Sequence, residues 1–164
     1  MMVIMNGDNI AIEKYRGTNL LLKGDRAFIS RSSYALDLLR SHYPIGFQTV
    51  LNHVTAIEQA DRSGICLGAD PTFYVGNPTS TAHPTWYASC ILHDAYHRKL
   101  FDDATKSGAS SQAAHSSASG AQAEMKCLDE QIKSLRAMNA PAYILQHAEH
   151  CKSLRWWEVK NRNW

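Results

Sequence analysis

Between Pro84 and about Ala104 the chain runs without a glycine or a second proline, and its apolar positions Trp86, Ile91, Leu92, Ala95, Leu100 and Phe101 spread around much of a helical circumference. A helix apolar on so many sides has to lie inside a domain, so the remaining segments must supply its cover. Pro84 suits the first turn, where its missing N–H leaves no hydrogen bond unmade. With 164 residues, 45% of them hydrophobic, one domain spanning 1–164 is enough to bury such a helix.

The covering elements are read from pattern. In the first 31 residues, Asn9 to Ile12, Leu20 to Leu22 and Ala27 to Ser30 are short β-like runs separated by Gly7, Gly17 and Gly24-Asp25, and they suggest small edge strands or turns. From Ser32 the period becomes helical, with Tyr34, Ala35, Leu38 and Leu39 on one face, and Pro44 ends that segment. Phe47, Val50, Leu51, Val54 and Ile57 predict a second helix closed by Ser63-Gly64. GICLGA and TFYVG, joined by Asp70-Pro71, predict a hairpin or adjacent strands. Residues 107–123, SGASSQAAHSSASGAQA, carry no Asp, Glu, Lys or Arg and read as a flexible loop. Met125, Leu128, Ile132 and Leu135 then mark a helix that stops near Asn139 to Pro141, and a last helix runs from about Ala142 to Leu154. The resulting fold class is α+β, mostly helical, with a small β-sheet or hairpin beside the long helix.

Charge and cysteine usage exclude several function classes. Lys and Arg number 17 against 15 Asp and Glu, a net charge of +2, so no concentrated basic surface is available to neutralise many phosphates and nucleic acid is an improbable partner. The longest stretch free of charged side chains, Pro71 to His93, is broken by Pro78, Pro84 and Gly76 and does not make a membrane span. The opening MMVIMNGDNIAIEK lacks a basic n-region and a long apolar core, which points to a cytoplasmic protein rather than a secreted one. Cys66, Cys90, Cys127 and Cys151 stand far apart with no CxxC pair and read as buried free thiols. The tail RWWEVKNRNW holds Trp156, Trp157 and Trp164 among basic residues and reads as a segment docked on the core through its indoles.

Chemistry concentrates within the long helix, at His93-Asp94-Ala95-Tyr96-His97. Residues i and i+4 share a helical face, so both imidazoles can address one ion. Glu130, Asp102, Asp103 and His115 are further candidate ligands, His147, His150 and Cys151 form a second group on a helix read as solvated, and Tyr87, Tyr96 and Tyr143 are candidate oxyanion donors.

The HDxxH segment in TWYASCILHDAYH resembles the HExxH motif of zincin metallopeptidases, with Asp94 in place of the glutamate. The stretch from Gly64 onward, with paired strands, this helix and an AExxCLxxQ helix, resembles small gluzincin-like domains. That resemblance implies a Zn²⁺ ion held by His93, His97 and a third ligand, Glu124, with Asp94 as the catalytic base acting on a peptide or protein amide bond. Asp is one methylene shorter than Glu, a displacement on the order of 1 Å, and misplacement on that scale can cost about 10²-fold in rate. The same substitution supports an alternative, a catalytically silent metal-binding or protein-interaction domain. LHDAYH also resembles the His-Asp dyad of HD-type metal-dependent phosphohydrolases, with His53 as an upstream ligand, although the strand-like runs between His53 and His93 suit an all-helical domain poorly.

Overall fold

A computed structural model describes residues 9–155 and 158. Two strands open the chain, β1 (Ala11–Lys14) and β2 (Leu21–Gly24), paired antiparallel across a turn in which Gly17 has φ 68°. That positive φ is cheap only for glycine. Helix α1 (Arg26–His42) follows, with the Asp25 carboxylate accepting from the Phe28 N–H at 2.7 Å, and α2 (Pro44–His53) starts on Pro44. The chain returns as β3 (Ala56–Gln59), parallel to β2, then runs through β4 (Gly64–Ile65) into β5 (Thr72–Val75). The sheet order is β1-β2-β3-β5-β4, with β3 and β5 parallel and β4 antiparallel on the edge. Register aligns Leu22 with Ile57 and Ile57 with Phe73, all buried, while the neighbouring row Lys23, Glu58 and Tyr74 is partly or fully exposed. One face therefore meets the core and the other meets solvent.

A single turn, α3 (Asn77–Ser80), leads into α4 (Pro84–Lys106), the long helix the sequence demands. It packs against α1, α2, α5 (Ser111–Ser119) and α6 (Ala121–Ala137), and α7 (Ala142–Leu154) packs on α6. Tyr87, Ala88, Ile91, Leu92 and Ala95 of α4 are fully or almost fully buried in one core with Phe28, Leu36 and Leu39 of α1, Ile57 and Phe73 of the sheet, and Leu135 of α6. The architecture is α+β, as the sequence predicts. Among the described residues no helix is long and apolar enough to cross a membrane.

Several local expectations are corrected. Residues 107–123 are not a flexible loop: they hold α5 and the start of α6. Alanine is the best helix former, Ser110 caps α5 by accepting from the Ala113 N–H, and Ala114, Ala118 and Ala123 are buried. Composition hides this because so small an apolar stripe still suffices at a close helix contact. Ala27 to Ser30 belong to α1, whose start is signalled by the Asp25 cap, and the buried face of α1 is Phe28, Ile29, Ser32, Ala35, Leu36 and Leu39 rather than one containing Tyr34, which is exposed. Ser32 lies inside because its hydroxyl bonds the Tyr87 hydroxyl at 2.7 Å. Helix α2 stops at His53, and Ile57 lies in β3, because Val54 turns extended (φ −125°, ψ 128°) and a run of β-branched residues follows. GICLGA and TFYVG do form adjacent strands, although the regular ladder of the first is confined to Gly64–Ile65, with the Cys66 N–H donating to the Thr72 carbonyl at 2.9 Å. Gly7 and the tail tryptophans Trp156, Trp157 and Trp164 lie outside the described residues.

Candidate metal centre

The i and i+4 histidines of α4 do share a face, and that face meets α6. Their Nε2 atoms are 3.1 Å apart, and the Glu124 carboxylate of α6 reaches both, at 3.4 Å from His93 Nε2 and 3.3 Å from His97 Nε2. The structure thus brings His93, His97 and Glu124 together across two packed helices. Cys127, one turn after Glu124, joins them: a ligating atom of each histidine and the Cys127 Sγ lie within 4.8 Å of one another.

The protonation of the two rings follows from their outer partners. His97 Nδ1 lies 2.6 Å from the Ala118 carbonyl oxygen, which can only accept, so Nδ1 carries the hydrogen. Ser89 donates to the Trp86 carbonyl at 2.7 Å and therefore accepts from the Gln131 amide nitrogen at 3.1 Å. This orients the amide so that its oxygen faces His93 Nδ1 at 2.9 Å, and that nitrogen must also be the donor. In the neutral rings both Nε2 atoms then present lone pairs to each other and to a carboxylate. Such a set repels itself unless a cation, either a proton or a metal ion, lies among the donors. Glu124 Oε2 is buried and has no hydrogen-bond partner among the described residues.

The spacing of the donors can be set against that of a metal site. A tetrahedron whose vertices lie about 2.0–2.1 Å from its centre, the zinc–nitrogen and zinc–oxygen bond range, has edges of about 3.3–3.4 Å. The Nε2–Nε2 separation of 3.1 Å approximates one such edge, and each Glu124 oxygen approaches one ring, Oε2 at 3.4 Å from His93 Nε2 and Oε1 at 3.3 Å from His97 Nε2. The outer bonds to Gln131 and Ala118 are of the kind that fix ring orientation and raise basicity in metal-binding histidines. His93, His97 and Cys127 together could hold a metal ion, with the Glu124 carboxylate against both rings.

Without an ion the group holds a proton instead. Burial disfavours the charged form of His97, but Cys127 and Glu124 beside it push its pKa up to about 11. Burial likewise acts to raise Glu124, yet His93 and His97 bring it down to about 2. Asp94, next to His93 on α4, has its pKa raised by burial, with His93 and His97 opposing.

The other candidate residues are engaged elsewhere. Asp102 binds His53 Nδ1 at 2.7 Å and Arg98 Nε at 2.9 Å, Asp103 pairs with Lys99, and Glu130 takes Lys133 and the Tyr43 hydroxyl. His53 is thereby held nine residues along α4 from His93, roughly 13 Å at 1.5 Å per residue, and does not join His93-Asp94. His115 stacks on the edge of Phe101. His147 packs on Trp86 with Cys151 Sγ 3.7 Å from its Nε2, and His150 is exposed. The Tyr87 hydroxyl is committed to Ser32, Tyr96 lies under Lys99, and Tyr143 is exposed. An open cleft of about 450 Å³ lined by Arg16, Arg26, Tyr34 and Asp37 shares no residue with the centre.

Sequence reasoning missed Cys127 and Gln131 as members of the site. Both are letters of the AExxCLxxQ pattern, at i+3 and i+7 from Glu124, and that spacing places them on one helical stripe with the glutamate. Compared with family models, curated proteins and solved structures, the chain matches none.

Proposed function

We propose that the chain is a zinc-dependent hydrolase of the metallopeptidase type, with His93, His97 and Glu124 holding the ion and a peptide or protein amide bond as substrate. The observation that carries this reading is the convergence of two helices on one point, where His93 Nε2 and His97 Nε2 lie 3.1 Å apart and the Glu124 carboxylate sets Oε2 3.4 Å from the first and Oε1 3.3 Å from the second. A bound Zn²⁺ would supply Lewis acidity toward the scissile carbonyl and acidify the attacking water. Asp94 would serve as the base toward that water and as the acid toward the leaving amine, and burial raises its basicity for the task. Gln131 and the Ala118 carbonyl hold the two rings in the tautomer that leaves Nε2 free.

Metal content tests the centre directly. Wild-type protein purified without a tag is expected to carry about one zinc per chain, lost in His93→Ala and in Glu124→Ala; folded wild-type protein without stoichiometric metal overturns the reading. Hydrolysis of a labelled unstructured protein is then expected to vanish in Asp94→Asn and to rise in Asp94→Glu, which restores the longer carboxylate. A second reading, in which the ion serves only to stabilise a binding domain, is favoured by shielding: the His93, His97 and Glu124 side chains are 11%, 9% and 13% exposed. Zinc-loaded protein inactive both as wild type and as Asp94→Glu would select it.

A further inference from the structure

The hydrolase reading uses three donors and gives Cys127 no part. We infer that Cys127 is a fourth protein ligand, so that in the resting protein the ion is enclosed by two imidazoles, a carboxylate and a thiolate; this inference rests on the reading of His93, His97 and Glu124 as a metal centre. Three observations support it. The Cys127 Sγ lies within 4.8 Å of ligating atoms of both histidines. Cys127 is fully buried and stands one turn from Glu124 on the stripe of α6 that faces α4. Glu124 Oε2, 3.4 Å from His93 Nε2, is buried without a hydrogen bond among the described residues.

A cysteine that only filled space would be expected among apolar neighbours, as free cysteines in cores usually are. This one lies beside two imidazoles, with a carboxylate one turn before it on the same helix. The four side chains come as an i, i+4 pair on α4 and an i, i+3 pair on α6, the way helical bundles build metal sites from facing helices. Coordination breaks the S–H bond and forms a sulfur–metal bond, and the thiol proton passes to solvent. One thiolate and two imidazoles select a borderline or soft ion such as Zn²⁺, Co²⁺ or Cd²⁺ and reject Mg²⁺ and Ca²⁺. Four protein donors also leave no position for an exogenous one. The resting centre is therefore closed, and hydrolysis requires Cys127 to leave the ion.

Cobalt substitution tests this in the full chain. Protein stripped with a chelator and given one equivalent of Co²⁺ is expected to show the visible bands of a tetrahedral ion and, in addition, a sulfur-to-cobalt charge-transfer band in the near ultraviolet. The band is expected to disappear in Cys127→Ser and to persist in Cys66→Ser, Cys90→Ser and Cys151→Ser. Zinc affinity is expected to fall at least about 10-fold in Cys127→Ser, since loss of even an outer-shell partner costs about 10–100-fold. Stoichiometric cobalt without the band, or a band that survives Cys127→Ser, overturns the fourth ligand and leaves the three-donor centre standing. Absence of any bound cobalt or zinc overturns the centre itself. Should Cys127→Ser fail to fold, X-ray absorption of the zinc-loaded triple variant Cys66→Ser, Cys90→Ser, Cys151→Ser decides: a sulfur neighbour of zinc supports the inference, and only nitrogen and oxygen neighbours overturn it.

Discussion

Replacing Gln131 with leucine removes the acceptor that orients His93 while keeping a buried side chain of similar size. Gln131 is 3% exposed, and its amide is held between Ser89 at 3.1 Å and His93 Nδ1 at 2.9 Å. Without it the His93 ring is free to take the other tautomer, in which Nε2 carries the hydrogen and cannot bind a metal. Outer-shell losses of this kind cost about 10–100-fold in metal affinity, or about 1.4–2.7 kcal/mol. The metal-free fold is also expected to lose about 1–3 kcal/mol for the unpaired Nδ1–H, less whatever the leucine regains by apolar burial. Competition for zinc against a chromogenic chelator measures the first quantity, and urea unfolding of stripped protein the second. Gln131→Glu separates tautomer control from packing, because its carboxylate still accepts from Nδ1 and is expected to retain wild-type affinity or exceed it. Gln131→Leu binding zinc within twofold of wild type, or Gln131→Glu as weak as Gln131→Leu, would refute the tautomer argument.

Three further perturbations test other links. Asp25→Ala removes the α1 cap and is expected to cost about 1 kcal/mol at pH 7 by chemical unfolding. Its pH dependence has a definite sign: the Phe28 N–H, with Gln59, holds the Asp25 pKa below 3.8, so the contribution is present above that value and is lost as pH falls through the lowered one. Wild type and variant should therefore converge in acid, and a gap that widens there would be wrong for a cap. His97→Phe removes the Nδ1–H that holds the Ala118 carbonyl and is expected to speed amide exchange across Ser111–Ser119 about fivefold, since one hydrogen bond is worth about 1 kcal/mol; unchanged exchange in the variant counts against that link. Arg98→Met strips Asp102 of its guanidinium and leaves the Cys66 and Gly68 carbonyls without their donor, at an expected cost of roughly 2–4 kcal/mol with zinc stoichiometry unchanged. A loss under about 0.5 kcal/mol would show that network to be ornamental to the fold.

Periodicity and punctuation alone determine much of this molecule. The long gap in glycine and proline sets α4, Pro44 divides α1 from α2, and the Ala142–Leu154 helix lies where its apolar spacing puts it. These are local signals, carried by residues within a few positions of one another. The His93, His97 pair was legible for the same reason, since an i, i+4 spacing fixes a shared face whatever the surroundings. Local signals fail where a contact distant in sequence decides. Ala114 and Ala118 make α5 only because α4 passes close enough to bury two methyl groups, and Ile57 becomes a strand residue only because β2 and β5 lie on either side of β3. The membership of Cys127 and Gln131 in the site belongs with these. Nothing within α6 says that its 124, 127, 131 stripe faces two histidines rather than solvent or core; the packing of α6 on α4 decides it, and with it which nitrogen of each ring is left to bind an ion.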